Sequence, residues 1–503
     1  MTRRLSILFS VSEAAPYVKE GGLGDVAGSL PRALKELGHD VRVVLPRYYR
    51  IDREKFGLKL LPGPLVVPMG IIGTMYCGVY EGRMPNSDVP IYFLEHEDFY
   101  GREGAYGTDG EGFIDNDNRF VFLSRASLEL CKMLDFTPDV VHAHDWHTAA
   151  VPVFVNTVYR NDPYLKEAAT VLSIHNLQHQ GNFYQGLMDV LGIGWEHFTF
   201  LGLEKNNETN LLKGGIYHAT KISTVSEGYA REIQTPAFGW ELDGVLRERA
   251  ADIQGILNGV DYDEWNPETD TFITARYSVD DLSGKVLCKR DLQRTFGLPE
   301  RPHVPLFGVI TRLVKQKGVD VLAAAIHRIL SLDLQVVLLG NGEPWAHFYF
   351  GDIAGLYPDK FGCCIGFSTP LAHQIEAGCD FFLMPSAFEP CGLNQMYSLR
   401  YGTLPVVRAV GGLNDSVENF DEGARTGTGF KFYDLNTGAL FDTVGWAVHT
   451  WYHNKPGMAQ LIRNAMARRF TWEQAAKKYE ELYYQAVAQR LGTEEFTRRF
   501  GAQ

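Results

Sequence analysis

Two series of apolar segments, each about as long as a β-strand, run along the chain and alternate with amphipathic segments of helical period. Near-continuous apolar strands joined by helical crossovers are typical of parallel sheets that are covered on both faces. The pattern therefore predicts an α/β protein with two doubly wound, Rossmann-like domains. The first series consists of LSILFSVS, VRVVLP, VPIYFLE, DVVHAHDW and ATVLSIHN, and the second of LFGVITRL, QVVLLG, CCIGF, FFLMPS and LPVVRAV.

A polar segment with aromatic residues, GILNGVDYDEWNPETD (255–270), separates the two series. We therefore predict an N-terminal domain over residues 1–253 and a C-terminal domain over residues 254–468. The amphipathic segment TWEQAAKKYEELYYQAVAQRL has no strand after it, so residues 469–503 are predicted to form a helix that packs back on the N-terminal domain. Ligands bind outside the carboxyl ends of strands in such sheets, and we expect both domains to turn these ends toward a central cleft.

Composition and charge narrow the classes of partner. The 503 residues include 61 acidic and 48 basic side chains, and the net charge of −13 argues against a nucleic acid or an anionic membrane as partner. The seven cysteines are irregularly spaced without a C-x-x-C pair, which favours a reducing, cytoplasmic location over a disulfide framework or a zinc site. Glu13 interrupts the short apolar run near the N-terminus, which argues against a signal peptide. The sequence carries no signal for an oligomeric state.

A glycine-rich turn, VKEGGLGDVAGSLPRAL (18–34), leads from the first predicted strand into a helix. The first N–H groups of a helix lack intrahelical acceptors, and the helix dipole favours negative charge there. The turn matches neither the dinucleotide fingerprint nor the Walker loop, because its lysine precedes the glycines. Lys19, Gly21 and Gly22 therefore indicate an anion site of another kind.

Two histidine-containing segments follow strands in the first half of the chain. In VHAHDWHT, His142 and His144 lie on one face of a strand and Asp145 on the other, so a single metal ion could not readily bind them all. A metal site, structural histidines and a substrate-facing Asp145 remain alternatives. His175 ends the strand of ATVLSIHN, where both a ligand-facing side chain and a buried structural histidine are common.

Arg312 and Lys317 flank a strand-to-helix turn in GVITRLVKQKG. Two cations in such a turn can bind a diphosphate, the arginine through its planar fork and the lysine as a point charge, although a solvated basic turn has the same pattern. GGLNDSV (411–417) offers further backbone N–H groups that could bind a phosphate.

The segment MPSAFEPCGLNQM places Glu389 and Gly392 between a strand and a helix. A carboxylate beside bare helix N–H groups is suited to accept hydrogen bonds from sugar hydroxyls. Cys391 has no evident base to activate it as a nucleophile. Since the chain has neither a Walker lysine nor an acidic pair for magnesium, these residues favour a nucleotide-sugar site in which protein cations neutralise the diphosphate.

Eight motifs of this chain resemble, in order, those of bacterial glycogen synthases and plant starch synthases, which are retaining glucosyltransferases of the GT-B fold. The resemblance extends to RFTWEQAAKKYEELYY near the C-terminus and so covers nearly the whole chain. It implies transfer of glucose from ADP-glucose to the non-reducing end of an α-1,4-glucan such as glycogen, without a cofactor or a metal. The motifs are Lys19-x-Gly21-Gly22-Leu23, VHAHDWHT, SIHNLQHQG, LLKGGIYHATKISTVSEGYAREI, GILNGVDYDEWNP, TRLVKQKG, FEPCGLNQMYSLRYGT and GGLNDSV.

The resemblance also implies a role for individual residues. The expected catalytic residues are Glu389 at the donor glucose, Arg312 and Lys317 at the diphosphate, and His175 and Asp145 near the sugar. The expected donor-binding residues are the loop of Lys19, Gly21 and Gly22, Asn258 near the sugar, Phe367 stacked on adenine, and the backbone of Cys391, Gly392 and Leu393.

Three positions depart from the family pattern, namely Glu20 in the glycine loop, Ala387 where a basic residue is usual, and His179 where tyrosine is common. UDP-glucose as the donor, and starch synthesis, remain alternatives. More remote alternatives are a glucan phosphorylase, a solute-binding protein, and a hydrolase or epimerase that acts on nucleotide sugars.

Overall fold

The computed structural model describes residues 3–108 and 110–501, and the chain forms two compact units. The first unit comprises the chain up to Val225, Ala230–Gly259 and the segment that starts at Trp472. The second unit comprises Ser226–Tyr229 and Val260–Thr471. Residues 1–2 and 502–503, the extreme ends of the predicted domains, lie outside the described residues.

Five strands of the first unit lie where the apolar segments predict them, and the other strands, one of which has ten residues, were not predicted. In chain order, the strands of this unit are β1 Ser6–Ser10, β2 Asp40–Pro46, β3 Lys59–Leu60, β4 Leu65–Pro68, β5 Thr74–Arg83, β6 Pro90–Glu95, β7 Gly107–Thr108, β8 Glu111–Gly112, β9 Val140–His144, β10 Ala169–Ile174, β11 Asn182–Tyr184, β12 Glu204–Lys205, β13 Glu208–Asn210, β14 Lys221–Thr224 and β15 Ile253–Gly255.

The main sheet of the first unit has the order β15-β14-β10-β9-β1-β2-β6-β5-β3, with β4 also paired to β5. Its strands are parallel from β15 to β6, which confirms the α/β prediction. One edge of the sheet is antiparallel, because β3, β4 and β6 each pair with β5 in antiparallel fashion, and the apolar segments did not predict this edge. The chain has only residues 84–89 between β5 and β6, too few for the crossover that a parallel pair needs.

Helices connect these strands, and the C-terminal segment adds two more. They are α1 Gly22–Glu36, α2 Glu97–Tyr100, α3 Asn116–Met133, α4 Asp145–Thr148, α5 Ala150–Asn156, α6 Leu187–Leu191, α7 Leu211–His218, α8 Glu227–Glu232, α9 Asp243–Glu248, and, from the C-terminal segment, Trp472–Leu491 and Thr493–Phe500. Helix Trp472–Leu491 packs against α1 and β10, with Tyr479 and Tyr483 fully buried.

The second unit contains one six-stranded parallel sheet of order β18-β17-β16-β19-β20-β21. Its strands are β16 Leu306–Leu313, β17 Gln335–Gly342, β18 Phe361–Ile365, β19 Phe381–Met384, β20 Leu404–Arg408 and β21 Phe430–Phe432. Its helices are α10 Ser283–Thr295, α11 Val319–Ile329, α12 Pro344–Leu356, α13 Thr369–Gly378, α14 Asn394–Arg400, α15 Gly411–Ser416, α16 Thr437–His453 and α17 Lys455–Ala467.

Each sheet reverses its strand order at one point, and such switch points are where doubly wound sheets bind ligands. In the second unit the reversal lies between β16 and β19, since the chain builds β17 and β18 on one side and β20 and β21 on the other. In the first unit it lies between β1 and β9. None of the described helices is both long and apolar enough to cross a membrane.

Candidate active site

At the switch point of the second unit, Lys317 and Glu389 form an ion pair. The Nζ atom of Lys317 donates to both carboxylate oxygens of Glu389, at 2.7 Å to Oε2 and 2.9 Å to Oε1. Ser386 donates a third hydrogen bond to Oε2 at 3.0 Å. The lysine follows β16 and the glutamate follows β19, so the two neighbouring strand ends supply the cation and the carboxylate. The Glu389 side chain is 6% exposed and that of Lys317 is 20% exposed, so solvent reaches the pair mainly from the lysine side.

The turn that carries Lys317 is fixed by Gly318. This glycine has a φ of 69°, which favours glycine, and a Cβ atom there would overlap the carbonyl oxygen of Pro385. The N–H of Ala387 donates to the carbonyl of Gln316 at 2.9 Å and joins the two loops. The ammonium of Lys317 is thereby held against the loop that carries Glu389.

Arg312 lies near the end of β16, before this turn, and does not join the ion pair. Its guanidinium is exposed and donates to the side chain of Gln316 at 3.3 Å. A guanidinium that is held only by a neutral amide keeps most of its donors available for an anion.

The loop from Glu389 to Leu393 is held by its own helix and by the 411–416 segment. The side-chain amide of Gln395 donates to the carbonyls of Cys391 and Gly392 at 3.1 and 2.9 Å. Gly392 has a φ of 71°, and Leu393 is the residue from which α14 starts. Cys391 is buried and is not part of a disulfide.

The backbone of Gly412 lies directly against this loop. Its N–H donates to the carbonyl of Glu389 at 3.0 Å, and a Cβ atom at Gly412 would overlap the carbonyl oxygen of Cys391. The prediction that the N–H groups of GGLNDSV bind a phosphate is therefore wrong for Gly412, because its N–H is used to hold the Glu389 loop.

Sequence reasoning assigned no role to Ser226, although the residue lies within the motif KISTVSEGYAREI. Its hydroxyl donates to the carbonyl of Pro390 at 2.6 Å, and the N–H of Gly228 donates to the Asp415 carboxylate at 2.5 Å. The Ser226–Tyr229 segment thus belongs to the second unit and supports the Glu389 loop.

At the switch point of the first unit, Glu13 organises the glycine-rich turn. Its Oε2 accepts hydrogen bonds from the N–H groups of Glu20 at 2.7 Å and Gly21 at 2.9 Å, and its Oε1 accepts one from Tyr106 at 2.6 Å. Burial raises the pKa of this carboxyl. Two N–H groups of the predicted anion site are therefore occupied by a carboxylate of the protein, and those that remain for a ligand are at the start of α1, from Gly22 onward.

The two charged side chains of the turn also have partners. The half-exposed Lys19 pairs with Asp25 at 2.6 Å. Glu20, the departure from the family pattern, pairs with the guanidinium of Arg50. Because Arg50 neutralises the Glu20 carboxylate, the negative charge of Glu20 opposes anion binding at the turn less than the sequence indicates.

Asp145 is buried and anchors the backbone that follows β10. Its Oδ1 accepts hydrogen bonds from the N–H groups of His175 at 2.7 Å and Asn176 at 3.4 Å. Burial raises the pKa of the Asp145 carboxyl to about 7. The residue has a φ of 52°, a left-handed conformation that aspartate and asparagine tolerate better than most residues. Asp145 and His175, predicted as neighbours of one sugar, are thus in direct contact.

The histidines around Asp145 form a hydrogen-bonded group in which His142 and His144 are buried and His175 is partly exposed. Nδ1 of His144 lies 3.0 Å from Nε2 of His175, and His142 contacts Ser173 and Tyr483 at 2.7 and 2.8 Å. Burial lowers the pKa of all three imidazoles, that of His175 to about 3. In the described part of the chain, no group of three or more His, Cys, Asp or Glu side chains has the arrangement of a metal site.

Asn258 and Phe367 are two further residues that were predicted to bind the donor. Asn258 is buried, and within residues 3–108 and 110–501 its Oδ1 has no hydrogen-bond partner. Phe367 follows β18 and its side chain is 92% exposed. An exposed ring after a strand of this sheet is available for stacking on a planar ligand.

We expect Asp145→Asn to change how stability depends on pH. The raised pKa means that ionisation of Asp145 is harder in the folded protein, so the wild type loses stability as the pH rises from about 4 to about 7. Asparagine keeps the Oδ1 acceptor and the left-handed backbone but cannot ionise. Between pH 5 and pH 8 the variant should gain about 2–3 kcal/mol of unfolding free energy relative to the wild type, measured by urea denaturation.

Asp52→Asn is the control for this measurement. Backbone N–H groups of Lys55 and Glu54 lower the pKa of Asp52, so its contribution to stability is lost only below about pH 4. The difference between this variant and the wild type should stay constant from pH 5 to pH 8. A constant difference for Asp145→Asn as well would contradict the role given to burial.

Two family models match the chain, one to each half. The model of the starch synthase catalytic domain matches residues 6–248, and the model of glycosyl transferases group 1 matches residues 294–466.

The curated relatives are similar over nearly their whole length. Glycogen synthase 1 of Geobacter metallireducens is 72% identical over 499 residues, which are 99% of both chains. Glycogen synthase 1 of Geobacter sulfurreducens is 70% identical over 498 residues, again 99% of each. The glycogen synthase of Treponema denticola is 43% identical over 97% of this chain and 99% of its own.

Two solved structures are similar to the fold. The catalytic domain of starch synthase IV from Arabidopsis thaliana, bound to ADP and acarbose, has a TM-score of 0.88 and 32% identity, over 97% of this chain and 100% of its own. The sucrose-phosphate synthase of Thermosynechococcus elongatus has a TM-score of 0.58 and 16% identity over the same shares, a similarity of fold alone.

Proposed function

Since this chain belongs to the family of glycogen synthases and starch synthases, we propose that it transfers glucose from ADP-glucose to the non-reducing end of an α-1,4-glucan such as glycogen, with retention of configuration. The observation that carries the proposal is the contact between the Lys317 ammonium and the Glu389 carboxylate at a switch point. A donor sugar linked to a diphosphate requires this combination, with a cation for the phosphate and a carboxylate for the sugar.

The leaving group is stabilised by protein cations in this proposal. Negative charge grows on the β-phosphate as the glycosidic bond breaks, and Arg312 and Lys317 supply the counter-charge without a metal ion. The guanidinium of Arg312 keeps most of its N–H donors available, whereas the ammonium of Lys317 is already oriented by Glu389. A cation that needs no reorganisation stabilises developing charge more than it stabilises the ground state.

Glu389 acts on the sugar. Its carboxylate stabilises the positive charge that develops on the glucose ring, while the 4-hydroxyl of the acceptor attacks from the face that ADP leaves. His175, whose backbone is held by Asp145, donates a hydrogen bond to a sugar hydroxyl. A pKa of about 3 keeps this imidazole neutral at any working pH, so it acts as a donor and not as a general acid.

An adenine nucleotide is supported by one neighbour in particular. The starch synthase IV catalytic domain was solved with ADP and acarbose, and the exposed ring of Phe367 in this chain is suited to stack on adenine. The glycogen synthases that match the full length of the chain support glycogen as the acceptor.

A donor panel tests the proposal. ADP-glucose and UDP-glucose are each supplied with glycogen, with and without EDTA, and nucleotide release is followed. We expect turnover with ADP-glucose that needs the glycogen primer and is unaffected by EDTA, and proton NMR should show that the added units are α-1,4-linked. Faster turnover with UDP-glucose would show that UDP-glucose is the donor. Nucleotide release without primer would indicate a hydrolase. A β-linked product would overturn the proposal of a retaining α-glucosyltransferase.

A further inference from the structure

A hydrogen bond joins two histidine rings at the carboxyl ends of neighbouring strands. His144 ends β9, His175 follows β10, and Nδ1 of the first lies 3.0 Å from Nε2 of the second. One of these two nitrogens must carry the proton and the other must accept it. Nδ1 of His175 lies outside this hydrogen bond, and the choice decides whether it faces a ligand as a donor or as an acceptor.

Burial of His144 decides the direction of this hydrogen bond. Its other nitrogen, Nε2, is buried and has no hydrogen-bond partner among residues 3–108 and 110–501. If His175 were the donor, the neutral His144 would carry its proton on Nε2, as a buried N–H without an acceptor. If His144 is the donor, only a lone pair is left without a partner. Buried N–H groups without an acceptor are rarer than acceptors without a donor, so His144 donates.

The proton of His175 then lies on Nδ1. Its Nε2 accepts from His144, and a neutral imidazole has only one N–H. His175 is partly exposed, and within the described part of the chain the hydrogen bond to His144 is the only one that its ring makes. The N–H at Nδ1 is therefore available as a donor to a ligand.

Neighbouring groups hold both rings in place. The ring of His144 lies 4.1 Å from that of His142 and is stacked at 5.5 Å on Phe9, measured between centroids. The backbone of His175 is bound by Asp145 at 2.7 Å. His175 is thus fixed through its main chain by one residue and through its ring by another.

We propose that His144 is a positioning residue, which donates its Nδ1–H to Nε2 of His175 and thereby holds His175 as the tautomer whose Nδ1–H donates to an oxygen of the ligand. The inference rests on the proposed function in one respect, since the ligand oxygen is a hydroxyl of the transferred sugar. The tautomer itself follows from the contacts of this chain.

NMR measures the tautomer directly. Long-range proton–nitrogen spectra of protein labelled with ¹⁵N-histidine distinguish protonated from unprotonated ring nitrogens, and the His175 signals are identified by their loss in His175→Gln. We expect wild-type His175 to be protonated on Nδ1 and unprotonated on Nε2. A proton on Nε2 would overturn the proposal.

Substitutions test what the hydrogen bond does for catalysis. His144→Phe keeps an aromatic ring but cannot donate, whereas His144→Asn keeps an N–H near the position of Nδ1. We expect His144→Phe to lower kcat/KM for the sugar nucleotide about ten-fold. The affinity for ADP should not change, because ADP lacks the transferred glucose. His144→Asn should recover most of the loss in kcat/KM. In His144→Phe, the proton of His175 should distribute between both nitrogens.

His142→Phe is the matched control, because it keeps an aromatic ring beside His144, and His142 has no hydrogen bond to His175. It should lower stability and leave the His175 tautomer and kcat/KM near wild type. Equal losses of kcat/KM in the two phenylalanine variants would overturn the proposal. Should His144→Phe fail to fold, the wild-type NMR spectrum and the kinetics of His144→Asn still test the proposal. If no sugar nucleotide supports transfer, the proposed function fails while the tautomer result stands by itself.

Discussion

Replacing Glu389 by alanine should lower kcat about 10²–10³-fold and leave the affinity for ADP unchanged or higher. The carboxylate is assigned to the positive charge that develops on the sugar, and removal of one such preorganised group costs about this much. Loss of the carboxylate also removes the two hydrogen bonds of the Lys317 ammonium to Glu389, at 2.7 and 2.9 Å, so that the whole charge of Lys317 can face a phosphate. Steady-state kinetics with ADP-glucose and calorimetry with ADP measure the two effects separately.

Asp380→Asn is the matched control for the loss of a buried carboxylate. Asp380 pairs with Lys289 at 2.6 Å and directly precedes β19, at the opposite end of the strand that Glu389 follows. Its variant should lower stability and leave kcat near wild type. If Glu389→Ala lost its affinity for ADP while kcat remained high, the assignment of this carboxylate to the sugar would be wrong.

Arg312→Ala and Lys317→Ala should each lower kcat about 10²–10³-fold, because both cations act on the charge that grows on the β-phosphate. Arg312→Lys should recover little, since a point charge cannot replace a planar fork. The double variant should lose less than the product of the single losses, because both side chains serve one leaving group. Stopped assays of nucleotide release over a range of ADP-glucose concentrations give kcat for each variant.

The contacts of the two cations predict different stabilities for Lys317→Ala and Arg312→Ala. Lys317→Ala leaves the buried carboxylate of Glu389 without its cation, so its urea midpoint should fall clearly. Arg312 is exposed and donates only to Gln316, so Arg312→Ala should unfold near the wild-type midpoint. A normal midpoint for Lys317→Ala would show that the ion pair does not support the fold.

Lys315→Ala is the control for the loss of one positive charge, since Lys315 is an exposed lysine in the turn that carries Lys317. It should retain wild-type kcat, and EDTA should not affect the wild-type enzyme. If Lys315→Ala lost as much activity as Lys317→Ala, the effect would be one of net charge. If EDTA abolished turnover and magnesium restored it, a metal would be the counter-charge in place of the arginine and lysine.

Local patterns in the sequence determined most of the parallel strands of both units and the surroundings of the candidate site. Apolar runs of strand length predicted the parallel strands, because a strand that is covered on both faces must be apolar along its length. Polar residues directly after those runs, such as Lys317, Glu389 and His175, were predicted as site residues because the carboxyl ends of parallel strands share one edge of a sheet. These predictions depend only on residues that are close together in the chain.

Only the tertiary structure decided which of these groups bind one another. The antiparallel edge at β5, the strand order and therefore the switch points follow from the pairing of whole strands. Glu13 binds the glycine turn 7 residues on, His144 binds His175 across 31 residues, Lys317 binds Glu389 across 72, and Ser226 binds Pro390 across 164. Hydrophobic periodicity reports which face of an element is buried, but it carries no information on which distant polar group lies against it. Partners at such separations are chosen by the packing of the sheets.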